Sequence, residues 1–140
     1  MKRRDFFLYA LAGSGSTLIA PDILLANTQS PMAGGLYYTS EAPGRWSKKV
    51  ASHMPNIEVE KTQHGAIIQD ATRHGMEDYE HYIVNHVVLD NHYRFINEYA
   101  FIPGKDERPE SVFTLDNYSG EVYVLSVCNK HDTWLNTAVI

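Results

Sequence analysis

His81-Tyr82-Ile83-Val84-Asn85-His86-Val87-Val88-Leu89, then Asp90-Asn91-His92, then Tyr93-Arg94-Phe95-Ile96-Asn97-Glu98-Tyr99-Ala100-Phe101-Ile102 is the stretch that decides the class of fold. Both flanks are dense in β-branched and aromatic residues, which suit a pleated surface, and the polar triplet between them has turn chemistry. It reads as strand, turn, strand. The same pattern recurs outward in both directions. Asn56 to Lys61 alternates apolar and polar residues, and Ala66-Ile67-Ile68-Gln69 follows the turn Gln63-His64-Gly65, which makes a hairpin. Beyond the loop from Pro103 to Pro109, Ser111 to Leu115 and Glu121 to Val127 flank Asp116-Asn117-Tyr118-Ser119-Gly120 and read as a further hairpin. About seven short strands, frequent turns and no convincing helical period predict an all-β fold, a β-sandwich.

A chain of 140 residues is one domain's worth, and 44% hydrophobic with 21% charged residues is a globular balance. The formal charge of -5 lacks the clustered Lys and Arg that phosphate backbones require, so nucleic acid drops out as a partner. Cys128 is the single cysteine, which excludes a disulfide framework within the chain and any all-cysteine metal site. Beside it the chain carries 7 histidines.

The N-terminus has a basic cap, Lys2-Arg3-Arg4-Asp5-Phe6-Phe7-Leu8, followed by a moderately apolar run to Ala20. Paired arginines ahead of large apolar residues resemble a twin-arginine export signal, the kind that carries proteins already folded. The expected division is a signal over residues 1–26, cleaved after Ala26, an irregular arm rich in Gly, Ser, Pro and Ala over 27–45, and the domain over 46–140. The destination would be the periplasm, reached through the twin-arginine machinery. An unpaired thiol in that oxidising space has to be buried, paired between chains or bound to metal.

The chemistry points the same way. In Cys128-Asn129-Lys130-His131-Asp132-Thr133-Trp134 a thiolate and an imidazole stand three residues apart at a strand end, where both can converge on one metal ion. His53 in Ser52-His53-Met54-Pro55, and His74 and His81 in the stretch His74 to Ile83, lie in loops or loop-strand junctions that a sandwich can bring to one end. His64 and His92 sit in apparent turns. His86 faces away from His81 under period-two alternation, and all three are set aside as structural or solvated.

The order His-Met-Pro, His-Gly-Met with His-Tyr-Ile downstream, then Cys-Asn-Lys-His-Asp-Thr-Trp resembles the iron domain of superoxide reductases, the neelaredoxin and desulfoferrodoxin family, over residues 46–140. The resemblance implies an immunoglobulin-like sandwich with one mononuclear non-haem iron. Its ligands would be His53, His74, His81 and His131 in the equatorial plane and Cys128 on the axis. Without a Cys-x-x-Cys pair the chain corresponds to the one-iron neelaredoxin type. The implied reaction is one-electron reduction of superoxide to hydrogen peroxide, with electrons from an external donor and a homo-oligomeric assembly. In the family a Glu-Lys pair often precedes the first histidine, but here Ala51 and Ser52 occupy those positions. The glutamate has no counterpart, and Lys49, with Lys48 beside it, is the candidate for the lysine that steers the anion and helps protonate the product.

Two other readings use the same residues. A cupredoxin-like electron-transfer protein also combines a late Cys and His with an upstream His, but usually adds a methionine after the last histidine, and here no methionine follows Cys128. A non-catalytic metal-binding module would hold its ion in a closed site, whereas a catalytic one keeps a coordination position open.

Overall fold

The computed structural model describes residues 30–140. The expected signal, its cleavage after Ala26 and the first residues of the arm lie outside them. The chain forms β1 (Pro55–Thr62), β2 (Gly65–Thr72), β3 (Ile83–Asp90), β4 (Phe95–Ala100), β5 (Glu110–Asp116), β6 (Glu121–Cys128) and β7 (Asp132–Val139). A 3-10 turn over Gly44–Lys49 leads into one turn of helix, α1 (Val50–His53), ahead of β1. The strands make two antiparallel sheets, β1-β2-β5 and β4-β3-β6-β7, so the all-β immunoglobulin-like sandwich expected from the sequence is the fold observed.

The first expected hairpin is present, with Thr62 paired to Gly65 across a two-residue loop. Gly65 is obligatory there, because its φ is 156° and a Cβ would strike the Leu115 carbonyl. Another expectation fails. Ser111 to Leu115 and Glu121 to Val127 do not form a hairpin, since β5 pairs with β2 and β6 pairs with β3 and β7. The segment between them crosses from one sheet to the other, so its turn-like composition marks a change of layer.

Inward residues fall in layers at two-residue steps along the strands. Ile68, Val88, Phe113, Leu115, Val122 and Val124 form the apolar core, and each of these large side chains contributes about 1.5–3 kcal/mol by leaving water. Next comes a buried polar layer of Asp70, Thr72, His86, Ser111 and Ser126. Met76, Ile83, Phe101 and Cys128 follow as a second apolar cluster. β3 reaches this arrangement through a bulge between Ile83 and Asn85, which puts both Ile83 and His86 inside. The period-two argument about His86 therefore does not hold: His86 is fully buried between the sheets. The arm before the domain packs on the outer edge of β7, where Tyr38 N–H donates to the Thr133 carbonyl at 2.9 Å and Leu135 N–H to the Tyr38 carbonyl at 2.8 Å.

Candidate metal centre

At the end of the sandwich beyond Cys128, separate segments bring side chains to one point. His53 closes α1, His74 follows the last residue of β2 by two, His81 precedes β3 by two, and His131 lies in the three-residue loop between Cys128 and Asp132. The loop carrying His81 is tied to that hairpin loop by Asn129. The Asn129 amide donates to the Glu80 carbonyl at 3.0 Å and to the Tyr79 carbonyl at 3.3 Å, and its oxygen accepts from Tyr82 N–H at 3.0 Å.

The nitrogens face one another. His74 Nε2 lies 3.0 Å from His81 Nε2, which lies 2.9 Å from His131 Nδ1, which lies 3.1 Å from His53 Nε2. Cys128 Sγ stands 3.6 Å from His131 Nδ1 and 4.0 Å from His74 Nε2. The ligand atoms of His53, His74, His81 and Cys128 all fall within 4.8 Å of one another. Three successive nitrogen-nitrogen separations near 3 Å match neighbouring donors on one ion at metal-imidazole bond lengths of about 2.1 Å. The donor set therefore fits a single transition-metal ion in both chemistry and spacing.

The outer nitrogens set the tautomers. His53 Nδ1 donates to the Lys49 carbonyl at 3.2 Å, with Ser52 Oγ 2.7 Å away, and His74 Nδ1 donates to the Gly75 carbonyl at 2.6 Å. A carbonyl only accepts, so each of these rings keeps its proton outside and turns an Nε2 lone pair inward. Burial, reinforced by the His74 and His131 rings, brings His53 down to about 3. Burial and the same kind of crowding also hold His81 and His131 below the usual imidazole range, with Lys49 and Lys130 adding to the effect at both. Neutral rings are the protonation state that metal ligation needs. Behind Cys128, the Lys130 amide donates to Sγ at 3.5 Å.

Lys49 reaches this end of the molecule and Lys48 does not. Lys49 lines an open depression of about 390 Å³ with Ser52, His53, His74 and His81, while Lys48 is exposed on the 3-10 turn and takes no part in the lining. Trp134 packs as an aromatic neighbour should, its indole N–H donating to the His131 carbonyl at 2.8 Å. Sequence reasoning missed Asn129, Arg45, Trp46 and Asp132. The last three form a contact across 86 and 87 residues of sequence, with Trp46 Nε1 and Arg45 both donating to Asp132 Oδ2.

A two-sheet sandwich with four imidazoles and one cysteine sulfur converging at one end presents a site that could hold a single metal ion by mixed nitrogen and sulfur ligation. The chain belongs to the desulfoferrodoxin family, whose model matches residues 45–137. Among solved structures it is similar to the superoxide reductase (neelaredoxin) from Ignicoccus hospitalis, at 26% identity over 80% of this chain and 98% of that one, with a TM-score of 0.61. A point variant of that same protein matches at 27% identity, 80% and 97% coverage and a TM-score of 0.63. Superoxide reductase from Nanoarchaeum equitans shares the fold, at 18% identity, 64% and 94% coverage and a TM-score of 0.55. No curated protein matches the sequence at a significant level.

Proposed function

We propose that the chain is a one-iron superoxide reductase, which takes up one electron from an external donor and reduces superoxide to hydrogen peroxide. The observation that carries this reading is the convergence of four inward-facing imidazole nitrogens on Cys128 Sγ. His53, His74, His81, His131 and Cys128 would hold the iron. Bound iron supplies a one-electron couple whose reactivity the thiolate tunes by donating electron density.

The chain's own residues do the rest. The depression beside His53, His74 and His81 is open to solvent and carries charges of both signs, Lys49 and Arg73 against Glu77, Asp78 and Glu80. Lys49 at its rim offers positive charge on an otherwise acidic protein and a proton at Nζ, while water supplies the second proton the product needs. His53 and His74 keep their Nδ1 protons engaged with backbone carbonyls, so neither ring is free to act as the acid. Four imidazoles exceed the two of a blue-copper site, which sets the cupredoxin reading aside. The paired arginines near the N-terminus support twin-arginine export and a periplasmic location for this chemistry.

The test is stoichiometric. Anaerobically reduced, iron-loaded protein mixed with a known quantity of superoxide should form one hydrogen peroxide per superoxide and per iron oxidised, without oxygen release. Evolution of oxygen at half the superoxide consumed would mark a dismutase and defeat the reading.

A further inference from the structure

Asp132, the first residue of β7 directly after the three-residue loop 129–131, has a φ of 62°. Glycine is the side-chain-free choice for this left-handed region. Aspartate is one of the few side-chain-bearing residues that visit this region routinely. The Asp132 carboxylate accepts from Trp46 Nε1 at 2.7 Å and from the Arg45 guanidinium, and Arg45 also lies over the Trp46 ring at 4.9 Å. Trp46 sits at a kink inside the 3-10 turn, with φ -104° and ψ 27°. Its ring then meets His131 edge-on, centroids 4.7 Å apart at an interplanar angle of 89°.

We infer that Asp132, acting through Trp46, is a positioning residue for the metal centre. It holds the His131 ring from one side and anchors the turn that delivers Lys49 and His53 from the other. The carboxylate joins two pieces of chain that share no strand pairing, and both carry residues of the centre. The inference rests on the reading of His131 as a ligand. Loss of an outer partner of this kind typically weakens metal affinity about 10- to 100-fold.

Three variants separate the carboxylate from the backbone conformation. Asp132→Gly suits the left-handed φ and removes the carboxylate, Trp46→Phe keeps a ring and removes the N–H, and Asp132→Asn keeps an acceptor for Trp46 while losing the charge that faces Arg45. Ferrous affinity would be measured by chelator competition, together with the thiolate-to-iron absorption band of the oxidised protein and the melting temperature of the metal-free protein. Asp132→Gly and Trp46→Phe should each weaken iron binding about 10-fold or more and shift the band. The double variant should lose no more than the weaker single one, and Asp132→Asn should lose less than about fivefold, as for an exposed ion pair. Wild-type affinity and band in both Asp132→Gly and Trp46→Phe would overturn the inference while leaving the centre intact. The same holds if only the metal-free melting temperature moves. A wild-type protein without iron or band would overturn the underlying reading as well.

Discussion

One buried histidine between the sheets and four at the end of the sandwich differ in kind in their surroundings. In the polar layer between the sheets, His86 Nδ1 sits 2.8 Å from Ser111 Oγ and 3.0 Å from Asp70 Oδ2, and Nε2 sits 3.0 Å from Thr72 Oγ1, which in turn donates to Ser126. Both ring nitrogens have oxygen partners within the protein. At the end of the sandwich, the inner nitrogens of His53, His74, His81 and His131 have only one another and Cys128. Burial by itself does not tell a ligand from a structural residue, for His53 and His86 are both buried. The partners do: a histidine satisfied at both nitrogens is structural, whereas nitrogens turned toward a common centre beside a thiol form a group that could hold an ion.

The strongest challenge to this contrast is to remove one of the four histidines at the end of the sandwich and, separately, His86 between the sheets. His81→Ala should cost at least about 100-fold in ferrous affinity, more than loss of an outer partner costs, with little effect on folding. His86→Gln should do the reverse and keep one iron per chain while losing about 3 kcal/mol of stability through unsatisfied buried partners. Metal analysis and chemical denaturation of the two variants check both. An iron-free His86→Gln protein that is otherwise folded would erase the distinction.

A second comparison concerns protons. Neither Asp70 side-chain oxygen accepts a well-formed hydrogen bond, and burial pushes Asp70 up to about 7 from 3.8 while pulling His86 down to about 3 from 6.5. The folded pair therefore holds its one proton on Asp70. Unfolded, between pH 3.8 and 6.5, the pair also holds one proton, on the histidine, so the two groups together add no pH slope there. In His86→Gln the Asp70 contribution stands alone. A raised folded pKa stabilises fully below the unfolded value, so the variant should lose about 1.4 kcal/mol per unit as pH rises from 4 toward 7. Melting the wild type and variant across that range checks the sign; a variant that gains stability with rising pH would contradict it.

The smallest expected effect separates the two lysines. Lys49→Met should lower the rate with superoxide about tenfold at low ionic strength, with the gap closing in salt, because Lys49 lines the depression. Lys48→Met, outside the lining, should change the rate less than about twofold. Equal losses in the two variants would remove the assignment.

The sandwich was readable from residue pattern because alternation within β1, β2 and β6 reports local geometry. The pairing of β5 with β2 was not, since a turn-rich segment looks alike whether it closes a hairpin or crosses to the other sheet. The bulge in β3 had the same effect on His86, for one extra residue reverses every inference from alternation beyond it. The convergence of the four histidines and Cys128 was legible because ligand chemistry limits the residue types that can serve. Asp132 went unread although it stands inside the Cys128 to Trp134 motif. Its partners Arg45 and Trp46 are 87 and 86 residues away, and only the folded chain brings them together.

The most direct measurement is metal content with a visible spectrum of the anaerobically purified protein, before and after oxidation, beside a Cys128→Ser variant. The expected result is one iron per chain and, on oxidation, a thiolate-to-iron charge-transfer band that the variant lacks. Copper, no metal, or a band that persists without Cys128 would contradict the centre described here.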